Sequence, residues 1–177
     1  MAKNEHLAQI ITGCRCGDSE SFSQLVDMYS GRLYGYFYRL TGNREVSDDL
    51  LSELFVKLVE KIKSYHGGSF ANWLFRIASN LFYDYLRVKQ REKKLLEYQQ
   101  QQQLELEKPP RRQDDSERFD KLQVQLDNLD VDTKELIMLR FYSQLSFKEI
   151  AEIRAEPIGT TLSKMHRGLN KLRKLME

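Results

Sequence analysis

The stretch Ser69–Arg87, SFANWLFRIASNLFYDYLR, decides how the rest of the chain is read. Its apolar residues Phe70, Trp73, Leu74, Ile77, Ala78, Leu81 and Tyr85 recur at steps of three and four, the spacing of an amphipathic helix. Ser69 follows the helix-breaking Gly67-Gly68 and stands where an N-cap belongs. The opposite face carries Asn72, Arg76, Asn80, Tyr83 and Arg87, with Asp84 as its single acid. Solvated helix faces are usually rich in Glu and Lys. Arg neutralises phosphates, Asn reads base edges and aromatic rings stack on unpaired bases. The face therefore reads either as a nucleic-acid surface or as a plain polar surface with a few arginines.

Composition narrows the class. The 177 residues allow one medium domain or two small ones. With 41% apolar residues, only 3 Pro and 9 Gly, and no strand-like alternation, the expected class is all-α. Net charge is only +2, but its sign alternates along the chain. Arg87–Arg112 is basic, Gln113–Glu135 acidic and Arg154–Lys174 basic again, so different segments suit different partners. The N-terminus lacks an apolar signal-peptide core, and no apolar run approaches the roughly 18–20 residues of a membrane span. A cytoplasmic protein without a membrane partner is expected. Cys14 and Cys16 lie too close for an easy disulfide and should be thiols in a reducing compartment. With His6 they still lack a fourth ligand, so no metal and no cofactor is expected. No Gly-rich phosphate loop, paired ligand spacing or nucleophile–base pair points to an enzyme.

Toward the N-terminus, residues 4–16 read as a helix with Leu7, Ile10, Ile11 and Cys14 on one face. Asp18 or Ser19 can cap a second helix, whose stripe runs Phe22, Leu25, Val26, Tyr29, Leu33, Tyr36, Phe37 and Leu40, with Gly31 and Gly35 as points of loosening or bending. Asn43 can cap a third helix over 44–65. Its apolar set is Val46, Leu50, Leu51, Leu54, Phe55, Leu58, Val59 and Ile62, and its early turns carry Asp48, Asp49 and Glu53, acids that suit the helix dipole. His66-Gly67-Gly68 reads as an interhelix turn.

Toward the C-terminus, the glutamine run and Pro109-Pro110 mark residues 95–118 as a linker, partly helical or disordered. Its acids Asp114, Asp115 and Glu117 fit a solvated spacer. A second module starts at Phe119. Ser146 and Glu149 form a capping box opening the run Phe147–Ile153. After Ala155-Glu156-Pro157, a further helix over 158–174 places Leu162, Met165, Leu169, Leu172 and Leu175 inward and Thr160, Ser163, Lys164 and Arg167 outward. Two helices about a short turn, the second rich in outward bases, make a helix-turn-helix pattern. Its outward residues suit the major groove, and Arg140, Lys148 and Lys171 suit phosphates.

These motifs together resemble bacterial RNA polymerase sigma factors of the extracytoplasmic-function (ECF) group. Trp73, Leu74, Arg76, Ile77, Ala78, Asn80, Leu81, Asp84, Tyr85, Leu86 and Arg87 match the region 2 helix of that group as they stand. VSDDLLSELFVKL is similar to its polymerase-docking segment, with Ser52 where Gln is usual. Glu149-Ile150-Ala151, Gly159-Thr160 and His166-Arg167 match its region 4. Arg154, Ala155 and Glu156 depart from the usual Leu-Gly-apolar step, and Thr161 replaces a common Val. The resemblance implies a region 2-like bundle over 1–94, a linker over 95–118 and a region 4-like helix-turn-helix domain over 119–177. It implies a sigma factor that directs promoter recognition, DNA opening and transcription initiation and is not an enzyme. The partners implied are core RNA polymerase, at its β′ clamp helices and β flap, promoter DNA, and in many such systems an anti-sigma factor. Polymerase binding falls to Asp48, Asp49, Leu50, Glu53, Leu54 and Phe55, as contact or supporting positions. Minus-10 binding falls to His66, Asn72, Arg76, Asn80, Tyr83 and Arg87, with the 66–68 loop helping to hold a flipped base. Minus-35 binding falls to Arg140, Lys148, Thr160, Ser163, Lys164, Arg167 and Lys171. The competing reading is a helix-turn-helix regulator that binds duplex DNA without polymerase.

Overall fold

The computed structural model describes residues 2–102 and 121–176. Among these residues all regular structure is helical. The N-terminal helices are α1 (Ala2–Arg15), α2 (Ser19–Thr41), α3 (Arg44–Lys61), followed by a 3₁₀ turn at Ile62–Ser64, and α4 (Phe70–Gln102). The C-terminal helices are α5 (Lys121–Asp127), α6 (Val131–Ser143), α7 (Phe147–Arg154) and α8 (Ile158–Met176). No described helix is long and apolar enough to cross a membrane. Cys14 is buried, Cys16 is exposed, and both are free thiols.

Local chemistry sets the helix ends. Asp18 caps α2 by accepting from the Ser21 N–H at 2.9 Å. Gly42, at φ 67°, ends α2 in a left-handed conformation that glycine adopts without strain. Asn43 accepts from the Val46 N–H at 3.0 Å to open α3. Ser69 accepts from the Asn72 N–H at 3.2 Å at the start of α4. Ser146 and Glu149 form both halves of the capping box on α7. The turn between α7 and α8 places Ala155 at φ 51°, where glycine is the easier residue.

One hydrophobic core runs through both groups of helices. Tyr36, Phe37, Leu33, Leu54, Leu74 and Phe75 fill the N-terminal part, and Leu126, Leu136, Ile137, Leu139 and Ile150 the C-terminal part. Helix α2 packs on α6, and α4 packs on both α6 and α7. Gly35 explains part of that closeness: a Cβ there would collide with the Tyr142 ring of α6. Helix α2 is continuous through Gly31 and Gly35, so the expected bend is replaced by a close approach between helices.

Helix α4 extends to Gln102, which makes residues 95–102 a helical part of the expected linker, and three expectations elsewhere need correction. The rest of that linker, and Phe119, lie outside the described residues. Val59 was placed in the apolar stripe of α3 but is 54% exposed. Leu162 and Leu169 were placed inside α8 but are exposed, while Thr161 and Gly168 take the buried positions. The buried face of α4 is wider than its periodicity implies, because Phe75, Ser79 and Phe82 are buried as well. Ser79 on this strip bonds Glu135 of α6, and Phe75 packs edge to face on Tyr36 of α2.

Candidate nucleic-acid and polymerase interfaces

The first surface is on α3. Asp48, Asp49 and Glu53 are exposed, and Glu53 pairs with Lys57 at 3.2 Å. Leu50 and Leu54 are core residues at 5% and 0% exposure, so they hold the helix in place and cannot themselves touch a partner. Phe55 is half-buried. Two exposed apolar residues that the motif reading leaves out stand beside the acids: Val56, 58% exposed, and Val59. A valine pair on an otherwise polar face was the available signal, but absorbing Val59 into the stripe hid it. Acids around exposed apolar side chains suit a protein partner better than DNA, whose phosphates the acids would repel.

The second surface is the outer face of α4 and the loop before it. His66 is exposed at the mouth of a cleft of about 810 Å³. Leu7, Ile11 and Arg15 of α1 line one side, and Tyr65, Gly68 and Phe70 the other. Arg15 lies over the Tyr65 ring, 5.9 Å from its centroid, and the Tyr65 hydroxyl donates to the Gly68 carbonyl at 2.7 Å. Asn80 and Arg87 are exposed, and Arg87 pairs with Asp84 at 3.0 Å. Asn72 donates to the Glu152 carboxylate at 3.4 Å, and Arg76 to the Glu152 carbonyl at 3.4 Å. Tyr83 is half-buried; burial and then the Glu135 charge push its phenol up to about 12. The face expected to look outward thus meets α7 along part of its length.

The third surface is on α8. Ser163 and Arg167 are exposed, as are Lys171, Arg140 and Lys148. The Ser163 hydroxyl donates to the Gly159 and Thr160 carbonyls at 2.9 and 3.0 Å, and the Arg140 guanidinium lies 5.3 Å from the Phe147 ring centroid. Thr160 is half-buried. Lys164 donates to Asp132 at 2.9 Å and to Glu156 at 2.7 Å, and these two acids raise its pKa. The expected base-reading lysine is therefore engaged within the protein. His166 is exposed and bonds Asn170 at 2.9 Å. An apolar groove of about 390 Å³ opens beside α8, lined by Leu126, Met138, Phe141, Leu169 and Leu172. Phe141 there is 67% exposed.

Behind α8 lies a charged cluster that the sequence only hinted at through its departures at the turn. The Arg154 side chain is 5% exposed and pairs with Asp132, Glu135 and Glu156. Burial opposes its charge, but Glu135, Glu156 and Asp132 outweigh that and hold its pKa above the ordinary value. Burial also opposes the Glu156 and Asp132 carboxylates, and Lys164 with Arg154 outweighs it, holding both below the usual range. Glu135 is fully buried, and burial pushes its pKa up despite Arg154. Among the described residues no group of three or more His, Cys, Asp or Glu is arranged for a metal ion.

Comparison with known proteins identifies the family of the chain. The family pattern described as Sigma-70 region 2 matches residues 25–92, and that of Sigma-70, region 4 matches residues 125–174. The ECF RNA polymerase sigma factor SigE of Mycolicibacterium smegmatis is 32% identical over 155 residues, which are 86% of this chain and 60% of that protein. The ECF RNA polymerase sigma factor SigW of Bacillus subtilis is 30% identical over 168 residues, 89% of this chain and 90% of that one. Among solved structures, the sigma factor RpoE of Bartonella quintana, in complex with the anti-sigma factor NepR, superposes with a TM-score of 0.71. That chain is 26% identical, and the match covers 89% of this chain and 97% of it. CnrH, in complex with the cytosolic domain of CnrY, shares the fold at a TM-score of 0.68 and 18% identity.

Proposed function

Because the chain belongs to the ECF group of bacterial RNA polymerase sigma factors, we propose that it binds core RNA polymerase in the cytoplasm and selects promoters through two DNA elements. The observation that carries this reading is the pair of sigma region patterns, in order, on helices α2–α4 and on a unit that includes the helix-turn-helix. The working division is 1–94 for polymerase and the minus-10 element, 95–118 as tether and 119–177 for the minus-35 element.

Each surface takes a role that its chemistry suits. The α3 face, through Asp48, Asp49, Glu53 and the flanking Val56, docks on the β′ clamp helices, with Leu50 and Leu54 holding it rigid from beneath. The exposed apolar groove beside Phe141 is the surface for the β flap. On α4, Arg76 and Arg87 neutralise phosphates of the minus-10 strand, Asn72 and Asn80 read base edges, and Tyr83 stacks. The cleft at His66 takes an unstacked base, which costs a few kcal/mol to extrude. On α8, Thr160, Ser163, Lys164 and Arg167 enter the major groove at the minus-35 element, and Arg140, Lys148 and Lys171 hold phosphates. The sigma factor contributes binding and strand separation, and the polymerase performs the chemistry. An anti-sigma factor is the natural inhibitor to seek, as RpoE is found in complex with one.

Run-off transcription with the native core polymerase on a genomic promoter library tests this. Initiation at a discrete promoter set, dependent on this chain, is expected. Arg76→Ala with Asn80→Ala should keep polymerase binding and abolish promoter opening. Sequence-specific duplex binding with no polymerase dependence would instead establish the regulator reading.

A further inference from the structure

The residues at which the α7–α8 turn departs from the family pattern are joined to one another. Arg154, Ala155 and Glu156 stand where a Leu-Gly-apolar step is usual, and Thr161 where Val is common. The Glu156 carboxylate collects three donors. One oxygen accepts from the Arg154 Nε at 3.0 Å and from the Thr161 hydroxyl at 3.0 Å. The other accepts from the Lys164 Nζ at 2.7 Å. Lys164 also donates to the Asp132 carboxylate of α6 at 2.9 Å. Arg154 donates to the Asp132 carbonyl at 3.3 Å and pairs with its carboxylate. The Glu156 side chain is 13% exposed and that of Lys164 27%, so water and salt screen this pair less than one on open surface. Each departure supplies the partner of another. An arginine in place of a leucine is tolerated at this depth only because Glu156 and the acids of α6 surround it. All of these groups belong to α6, α7, α8 and the turn between the last two.

We propose that Glu156 is a specificity-determining positioning residue for the minus-35 element: it ties the Lys164 ammonium into the protein and fixes the first turns of α8, so that this cation stays off the phosphates while the exposed Ser163 and Arg167 meet the DNA. The inference rests on the sigma-factor reading and narrows one part of it, the role of Lys164. A lysine beside DNA has two uses. Free, it neutralises a phosphate of any sequence and adds to non-specific binding. Tied, it adds no such charge, and binding leans more on contacts with the bases. The geometry favours the second use. To reach a phosphate, Lys164 has to give up charge-assisted bonds to two carboxylates. Lys171, two turns further along the same helix, is exposed and has no such partner among the described residues. Glu156 acts through Lys164 and touches no DNA itself.

Two measurements separate the bonding from its use. The first needs no DNA. Brief acetylation of the full chain with an N-hydroxysuccinimide ester, read by mass spectrometry, compares Lys164 with Lys171. Lys164 should label several-fold more slowly, since an ammonium held by two carboxylates gives up its proton less readily. In Asp132→Asn with Glu156→Gln, at retained helix content, its rate should rise toward that of Lys171. If the double change costs helix content, Glu156→Gln alone carries the comparison, with a smaller rise expected. Equal labelling of the two lysines in the parent would overturn the proposal. The second measurement uses holoenzyme rebuilt from the native core polymerase. Its binding is followed over a range of salt on a promoter duplex found by run-off transcription, and on the same duplex with the minus-35 element scrambled. The variant should bind the scrambled duplex several-fold more tightly and lose part of the preference for the intact one. Its plot of log affinity against log salt should steepen by about 0.9, the share of one phosphate. Adding Lys164→Gln to the variant should remove that extra slope, which mere loosening of α8 would not do. An unchanged slope, or an extra slope that survives Lys164→Gln, would also overturn the proposal. Absence of any initiation that depends on the parent chain counts instead against the sigma reading. It takes the proposed use of the network with it and leaves the labelling result standing.

Discussion

The N-terminal helices α1–α4 and the C-terminal helices α5–α8 share a core but are held by different forces. In the first group, aromatic rings meet edge to face: Tyr29 on Phe70 at 5.6 Å, Tyr36 on Phe75 at 5.6 Å and Tyr65 on Phe70 at 5.3 Å. Such pairs add about 0.5–1.5 kcal/mol each beyond the area they bury. Ion pairs described within it, such as Lys57–Glu53, Arg87–Asp84 and Lys93–Glu97, sit on the surface one helical turn apart, where they contribute little. In the second group a buried arginine and a half-buried lysine are surrounded by acids, and these set where α8 stands relative to α6 and α7. Packed rings are nearly indifferent to salt and pH, whereas a partly buried ion-pair cluster beside an aliphatic core is not. Helix α8, to which we assign the minus-35 contacts, is thus mounted on the more condition-sensitive support.

The largest effect should come from removing a ring. Phe37→Ala empties a fully buried site and should cost about 3–5 kcal/mol, equally at low and high salt, in urea denaturation. Strong salt dependence of that loss would blur the distinction between the two groups. Next, Arg154→Met should cost about 3 kcal/mol by leaving Glu135 buried without its counter-charge. Adding Glu135→Gln should recover much of it in the same assay; no recovery would mean that Arg154 acts through shape alone. Capping comes third. Ser146→Ala should cost about 1 kcal/mol and loosen α7, seen as faster amide exchange there.

Acid should separate the groups as well. Asp130, Asp132, Glu149 and Glu156 all sit below their ordinary pKa in the C-terminal group, held by hydrogen bonds and cations that outweigh burial. A depressed carboxylate contributes stability above its unfolded value, near 4, and that contribution is lost as pH falls through the lower folded value. Glu135 acts in the opposite sense: its raised value costs stability above its unfolded pKa, and that cost is relieved on acidification. The four outnumber it, so the C-terminal helices should exchange their amides first below pH 4. Trp73, lodged between Tyr65 and Phe70, should keep its native fluorescence to lower pH. The smallest expected change is Lys57→Ala, about 0.3–0.5 kcal/mol at most, from an exposed i,i+4 pair.

Local rules were enough for much of this architecture. Ser69, Asn43, Asp18 and the Ser146–Glu149 box announce helix starts because capping involves residues within one turn. The stripe Phe70, Leu74, Ile77, Ala78 and Leu81 is legible because burial follows the helical period. The same rule misled at Val59, Leu162 and Leu169, since periodicity marks a face as apolar without saying whether anything covers it. Motif likeness marks Leu50 and Leu54 as contact or supporting positions of the docking segment, and only burial, at 5% and 0% exposure, separates the two: they lie beneath the face.

The sequence by itself determined the element types, their order, their caps and the sigma regions they compose, because each depends on residues near one another along the chain. Only the tertiary structure decided which polar side chains are spent inside the protein. Tyr36 and Glu135 are 99 positions apart, and Asn72 and Glu152 are 80 apart. No periodicity links such positions. Their pairing follows from how α2 and α4 pack on α6 and α7, and that packing turns Gly35 from an apparent weak point in a helix into the place where two helix groups meet.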